Sequence, residues 1–127
     1  MNTDTINSLV LAYLGDSVYE LLIREHFIKT GINKVNNLQQ KVTKYVSAKA
    51  QSKYINYLID NKYLSENEIE VIKRGRNAKV FSHPKNTDIL TYKWATALEC
   101  LFGYLYINED KKRINEIIDI ILGVELW

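Results

Sequence analysis

Two acids sit where acids are costly. Asp16 lies in LVLAYLGDSVYELLI and Glu99 in WATALECLFGYLYI, two of the most apolar stretches of the chain, both patterned as core-facing helices. A carboxylate in such company costs several kcal/mol unless a basic side chain, a backbone donor or a metal compensates it. Each acid has a glycine nearby: Gly15 precedes Asp16, and Gly103 follows Glu99 by one turn. Glycine inside a helix costs roughly 0.5–1 kcal/mol relative to alanine, so two of them beside two acids point to close helix contact or access for a ligand. Crossed helices would bring both carboxylates onto one Mg²⁺, a hard cation that accepts a few carboxylates and keeps several waters. Such an ion can activate one water and stabilise charge on a phosphodiester. An exposed acid or an ordinary ion pair is the competing account, and the residues by themselves leave both open. His26 and His83 have no partner at ligand spacing. The first reads as a surface or packing residue of a helix, the second, before Pro84, as a loop residue.

A second group of residues points to a polyanion. Net charge is only +2, but residues 41–100 carry eleven Lys/Arg against six Asp/Glu. The densest run is Lys73-Arg74-Gly75-Arg76-Asn77-Ala78-Lys79. Basic residues at a helix end suit the helix dipole, which accounts for one or two of them and not for four in seven. Arg offers bidentate phosphate contacts, and Gly and Asn let a backbone approach a strand closely. Lys41, Lys44, Lys49 and Lys53 form a further basic set. Contacts of this kind give salt-dependent affinity with little sequence readout, and RNA duplexes are read mainly by shape through phosphates and 2′-hydroxyls.

The elements that must position these residues read as helices throughout, an all-α fold. Apolar residues recur at three- and four-residue spacing over Ser8–Lys29, with Leu9, Ala12, Tyr13, Asp16, Tyr19, Glu20, Ile23 and Phe27 on one face. Gly31 stands where a C-terminal glycine belongs. A short helix follows at Val35–Tyr45, and Ser47 caps another over Ala48–Ile59 with Ala50, Tyr54, Tyr57 and Leu58 inward. Ser65-Glu66-Asn67-Glu68 fits a capping box and opens a helix to Arg74 or Gly75. NAKVFSHPKNT at 77–87 reads as a loop, after which Thr87 or Asp88 starts a long apolar helix to Ile107. A last helix over Lys111–Leu122 stops at Gly123. KYINYLI and VELW are too short and lack the alternation of strands. Leu9, Tyr13, Tyr19, Tyr92 and Trp94 read as core packing, with an interface role as the alternative.

At 127 residues and 46% hydrophobic, the chain suits one domain spanning residues 1–127. A single Cys100 excludes an intramolecular disulfide framework and a Cys-rich zinc site. MNTDTINSLV lacks a basic region and an apolar run, so no signal peptide is expected, and a cytoplasmic location fits. No stretch approaches the roughly 20 apolar residues of a membrane span.

LAYLGDSVYE at 11–20 resembles the signature helix of the ribonuclease III catalytic domain, and ALECLFGYLYI at 97–107 its second acidic helix. VSAKAQ at 46–51 resembles the segment between them, and KRGRNAK at 73–79 resembles the Mini-III subfamily, a catalytic domain without the double-stranded-RNA-binding domain. The resemblance covers nearly the whole chain. It implies a helical, homodimeric endoribonuclease of double-stranded RNA that uses Mg²⁺, with Mn²⁺ able to substitute. For the Mini-III branch the implied substrate is the paired precursor stem of large-subunit (23S) ribosomal RNA. Asp16 matches the family's central catalytic aspartate and Glu99 its metal-binding glutamate. Lys49, Lys73, Arg74, Arg76, Asn77 and Lys79 are the expected RNA contacts. Two departures matter: Ala12 and Thr96 stand where the larger family has acids. A four-carboxylate cage therefore does not carry over, and a sparse, water-rich Mg²⁺ site is expected. Glu20, one turn after Asp16, is either an outer contact or a surface ion pair. A non-catalytic RNA-binding module and a helical interaction protein with a structural acid pair are the alternative readings.

Overall fold

In the computed structural model, residues 5–80 and 82–127 are described. Residues 1–4, part of the stretch read as lacking a signal peptide, and Phe81, in the expected loop, lie outside them. The described residues form six helices and no strand: α1 (Ser8–Lys29), α2 (Val35–Val46), α3 (Ala48–Asp60), α4 (Glu66–Asn77), α5 (Ile89–Ile107) and α6 (Lys111–Leu122). The expected all-α architecture is what the chain adopts. None of the described helices is long and apolar enough to cross a membrane.

Local chemistry sets the helix ends. Asn7 Oδ1 accepts from the Leu9 N–H at 2.8 Å and opens α1. Past its C-terminus Gly31 takes a φ of +100°, which an L side chain resists. Ser47 ends α2 and caps α3 at once, its Oγ accepting from the Ala50 N–H at 3.2 Å. The capping box at Ser65 and Glu68 is complete in both directions. Asp88 Oδ1 accepts from the Thr91 N–H at 2.9 Å and starts α5.

Packing centres on α5, which α1, α3 and α4 surround. Tyr19, Ile23, Tyr54, Leu98, Leu101, Phe102 and Ile117 fill the core. Two of its buried tyrosines reach backbone acceptors: Tyr19 Oη donates to Tyr45 O at 2.8 Å and Tyr54 Oη to Val124 O at 3.0 Å. Glu68 ties α4 to α6, because Arg113 Nε and Nη2 each donate to its carboxylate at 2.8 Å. Burial alone would raise the Glu68 pKa, but the Arg113 hydrogen bonds and the Ser65 N–H outweigh it and hold the carboxyl below its usual range.

Several details differ from the sequence reading. Helix α4 runs to Asn77, because Gly75 does not terminate it; Gly75 packs inside the helix against Ala97 and Cys100 of α5. In α3 it is Ile55 that is fully buried, while Tyr57 is half-buried. Tyr19 is core, as expected, and Tyr92 and Trp94 are half-buried. Leu9 and Tyr13 are not core: Tyr13 is 83% exposed, and with Leu9, Val10 and Leu21 it gives α1 a second, outward apolar face. His83 is exposed in the loop, and His26 is half-buried against Phe27.

Candidate active site

The crossing of α1 and α5 is made by the two glycines. A Cβ on Gly15 would collide with the carbonyl oxygen of Glu99, and one on Gly103 with the carbonyl oxygen of Leu11. Backbone therefore meets backbone at Leu11/Gly15 and Glu99/Gly103, one turn apart on each helix. Asp16 follows the first contact point in sequence, and Glu99 is the second. Of the two expected explanations for the glycines, close helix contact is the one the structure supplies.

That crossing brings the acids together. The Asp16 and Glu99 side chains come close enough for the charge of one to act on the other. Burial, then the neighbouring charge of Asp16, push the Glu99 pKa up to about 8, with the charge of Glu20 adding and the Gln51 amide opposing. Their environments differ from the sequence reading, which placed both on core-facing stripes. Glu99 is half-buried, but Asp16 is exposed. The buried stripe of α1 is Leu11, Ala12, Gly15, Val18, Tyr19 and Ile23, so Asp16 stands at its rim and reaches Glu99 from the solvent side.

The metal-free pair makes stability pH-dependent. Unfolded Glu99 releases its proton near 4.5 and folded Glu99 near 8, so between these values the unfolded chain binds fewer protons. Stability should therefore fall as pH rises through this window, by at most about 1.4 kcal/mol per unit. Denaturant unfolding in EDTA at pH 5 and pH 8 should show this slope in wild type and a flatter one in Glu99→Gln; equal slopes would remove the account.

The donor set suits a divalent cation. Two hard carboxylates converge from different helices, and among the described residues neither forms a salt bridge. A cation would relieve the repulsion that keeps Glu99 protonated. The set is also small: among the described residues no group of three or more His, Cys, Asp or Glu could hold a metal. Ala12 is buried in an apolar cluster with Leu11, Val71 and Cys100. Thr96 is buried and its Oγ1 donates to its own helix, to Tyr92 O at 2.9 Å. Neither can ligate. Glu20 pairs with Arg24 at 3.2 Å, the surface ion pair of the two expected alternatives, while its charge still reaches Glu99.

The basic residues divide into separate surfaces. Lys73, Arg74, Asn77 and Lys79 line an open groove with Asn7, Ser8 and Leu9 at the start of α1. Arg76 is not among them; its guanidinium lies over the Trp94 ring at 5.0 Å from the centroid and donates to Asn77 Oδ1 at 3.2 Å. Lys49 lies in a different depression, with Lys44, Lys53 and Trp127.

Sequence reading missed Gln51. It is 3% exposed, its Nε2 donates to Val46 O at 3.0 Å, and its amide faces Glu99. Its Oε1 is buried with no hydrogen-bond partner among the described residues. The available signal was periodicity, since Gln51, Ile55 and Leu58 share one helix face.

Comparison with known proteins shows the family. The family model described as the ribonuclease III domain matches residues 9–110. A Mini-ribonuclease 3 of Streptococcus pneumoniae is 41% identical, over 93% of this chain and 92% of its own. One from Brevibacillus brevis is 48% identical, over 88% of this chain and 82% of its own. The crystal structure of a Fusobacterium nucleatum protein superposes with a TM-score of 0.85 at 32% identity, covering 96% of this chain and 98% of that one. The helical frame, the paired acids at its central crossing and these matches together place the chain in the ribonuclease III family, as a ribonuclease of the Mini-ribonuclease 3 kind.

Proposed function

We propose that this endoribonuclease hydrolyses double-stranded RNA at the Asp16–Glu99 pair with the help of Mg²⁺, for which Mn²⁺ can substitute. The observation that carries this reading is the convergence of two carboxylates, one exposed and one half-buried, at a helix crossing where neither has a basic partner among the described residues. Asp16 and Glu99 would hold the cation, which when bound supplies an activated water and a counter-charge for the phosphodiester. Asp16 presents its carboxylate from the solvent side, where a phosphate can approach. Glu99 contributes a second oxygen donor, its backbone pinned by Gly15. Lys73, Arg74, Asn77 and Lys79 bind the duplex backbone through their groove, with Arg76 and Lys49 as flanking contacts. The preferred duplex is the end stem of precursor 23S ribosomal RNA, the substrate implied by the Mini-III resemblance, and a cytoplasmic location accompanies it.

Two strands need two centres, and the outward face of α1 supports a homodimer. Leu9, Val10, Tyr13 and Leu21 are exposed there. Leu14, Val18, Leu22, Tyr106 and Ile114 line an adjoining apolar cleft of about 330 Å³. An isologous pairing covers such a surface with its own copy.

The direct test is duplex RNA incubated with purified protein in Mg²⁺ or in EDTA. Cleavage is expected in Mg²⁺ alone; equal cleavage in both removes the metal from the mechanism. Replacing Lys73 and Arg74 together by Ala should weaken duplex binding and lower the slope of log affinity against log salt by about 2, one unit per phosphate contact. An unchanged slope would move the RNA path away from this groove.

A further inference from the structure

Gln51 belongs to the junction between α2 and α3. Val46 ends α2, Ser47 caps α3, and the Gln51 side chain reaches back to the Val46 carbonyl. That hydrogen bond fixes the orientation of the amide, because exchanging its oxygen and nitrogen would set two carbonyl oxygens against each other. One N–H is directed to Val46 at 3.0 Å, and the amide lies beside the Glu99 carboxyl. On the same group Oε1 is buried and unmatched among the described residues. An apolar side chain of equal length would fill this space with no unmatched acceptor, so packing alone does not account for a glutamine here.

We propose that Gln51 is the positioning residue of the hydrolytic centre: its N–H holds the Glu99 carboxylate in the orientation that binds the divalent cation beside Asp16, and its Oε1 accepts from a water of that cation's shell. This rests on the metal-binding reading of the acid pair. Ala12 and Thr96 leave few protein ligands, so the orientation of each one carries more of the affinity. Partners that orient metal ligands typically matter by 10- to 100-fold in affinity or activity.

The test is a Mg²⁺ titration of the full chain, by calorimetry and by duplex cleavage, for wild type, Gln51→Met, Gln51→Asn and Asp16→Asn. Met keeps the length and volume without the amide; Asn keeps the amide but withdraws it by one methylene. Both are expected to weaken Mg²⁺ binding about tenfold or more. Cleavage lost at low Mg²⁺ should return at high Mg²⁺, with the KM for duplex RNA unchanged. A purely structural Gln51 would lower the metal-free melting temperature and leave the Mg²⁺ midpoint at its wild-type value, which overturns the proposal. If the Met variant fails to fold, the Asn variant decides by the same criterion. Mg²⁺ binding lost in Asp16→Asn but unaltered in Gln51→Met overturns the role of Gln51 and leaves the acid pair as the metal site. Absence of Mg²⁺ binding by wild type overturns both.

Discussion

Asp16→Asn should leave the protein folded and able to bind duplex RNA, and slow cleavage by about 10³-fold or more. The size of the loss follows from the sparse donor set. Ala12 carries no ligand atom, the Thr96 hydroxyl is turned to its own helix, and Glu20 is paired with Arg24, so the missing carboxylate has no ready replacement among the described residues. The survival of the fold follows from position. Asp16 is exposed and forms no salt bridge among the described residues; substitutions at such sites usually change stability by about 0.5 kcal/mol or less. Removing its charge also relieves Glu99. With RNA affinity assigned to the basic surfaces in the proposed function, the loss should fall on kcat, with KM nearly unaltered. Single-turnover cleavage with a parallel thermal melt checks this. Wild-type cleavage by the variant would remove Asp16 from the chemistry, and a rate loss that merely tracked unfolding would make it a structural residue.

Gly15→Ala should be among the most destabilising single substitutions in the chain, at about 3 kcal/mol or more. Two effects compete. Alanine at a mid-helix position gains up to about 1 kcal/mol in propensity. Against that, the new methyl would occupy the place of the Glu99 carbonyl oxygen, with the Gly103 N–H also close by. Both neighbours are backbone, so no flexible side chain can yield, and overpacking wins. For a chain of this length the melting temperature should drop by roughly 10 °C or more. Gly31→Ala is the control: it has open space around it, and its cost comes from the φ of +100° alone, about 1–2 kcal/mol. If Gly15→Ala melts with wild type, the crossing is not as tight as the structure has it. The same variant should lose cleavage beyond its loss of folded fraction, because parting the helices parts Asp16 from Glu99.

Much of the frame was legible because its signals are local. Ser47, the Ser65/Glu68 box, Asp88 and Gly123 each act within one turn, and the helices they bound begin and end within a few residues of expectation. Gly75 was misread as a stop for the opposite reason. Its value lies in contact with Ala97 and Cys100, far along the chain, and no local pattern separates a terminating glycine from a packed one. The basic run at 73–79 was legible as charge, but its division was not. Arg76 turns to Trp94 while its neighbours line the groove, and that depends on where α5 lies.

For Asp16 and Glu99, sequence singled out the candidates: acids in apolar helices, each near a glycine, in segments resembling a family's catalytic helices. Tertiary structure decided how they meet. Helix α1 is apolar on two faces, so its periodicity could not tell which side turns inward; the glycine contact with Glu99 sets that rotation and leaves Asp16 at the rim. The raised pKa of Glu99 and the outward apolar face of α1 both follow from that one crossing. Each depends on distances between residues far apart in the chain, which a three- or four-residue period cannot encode.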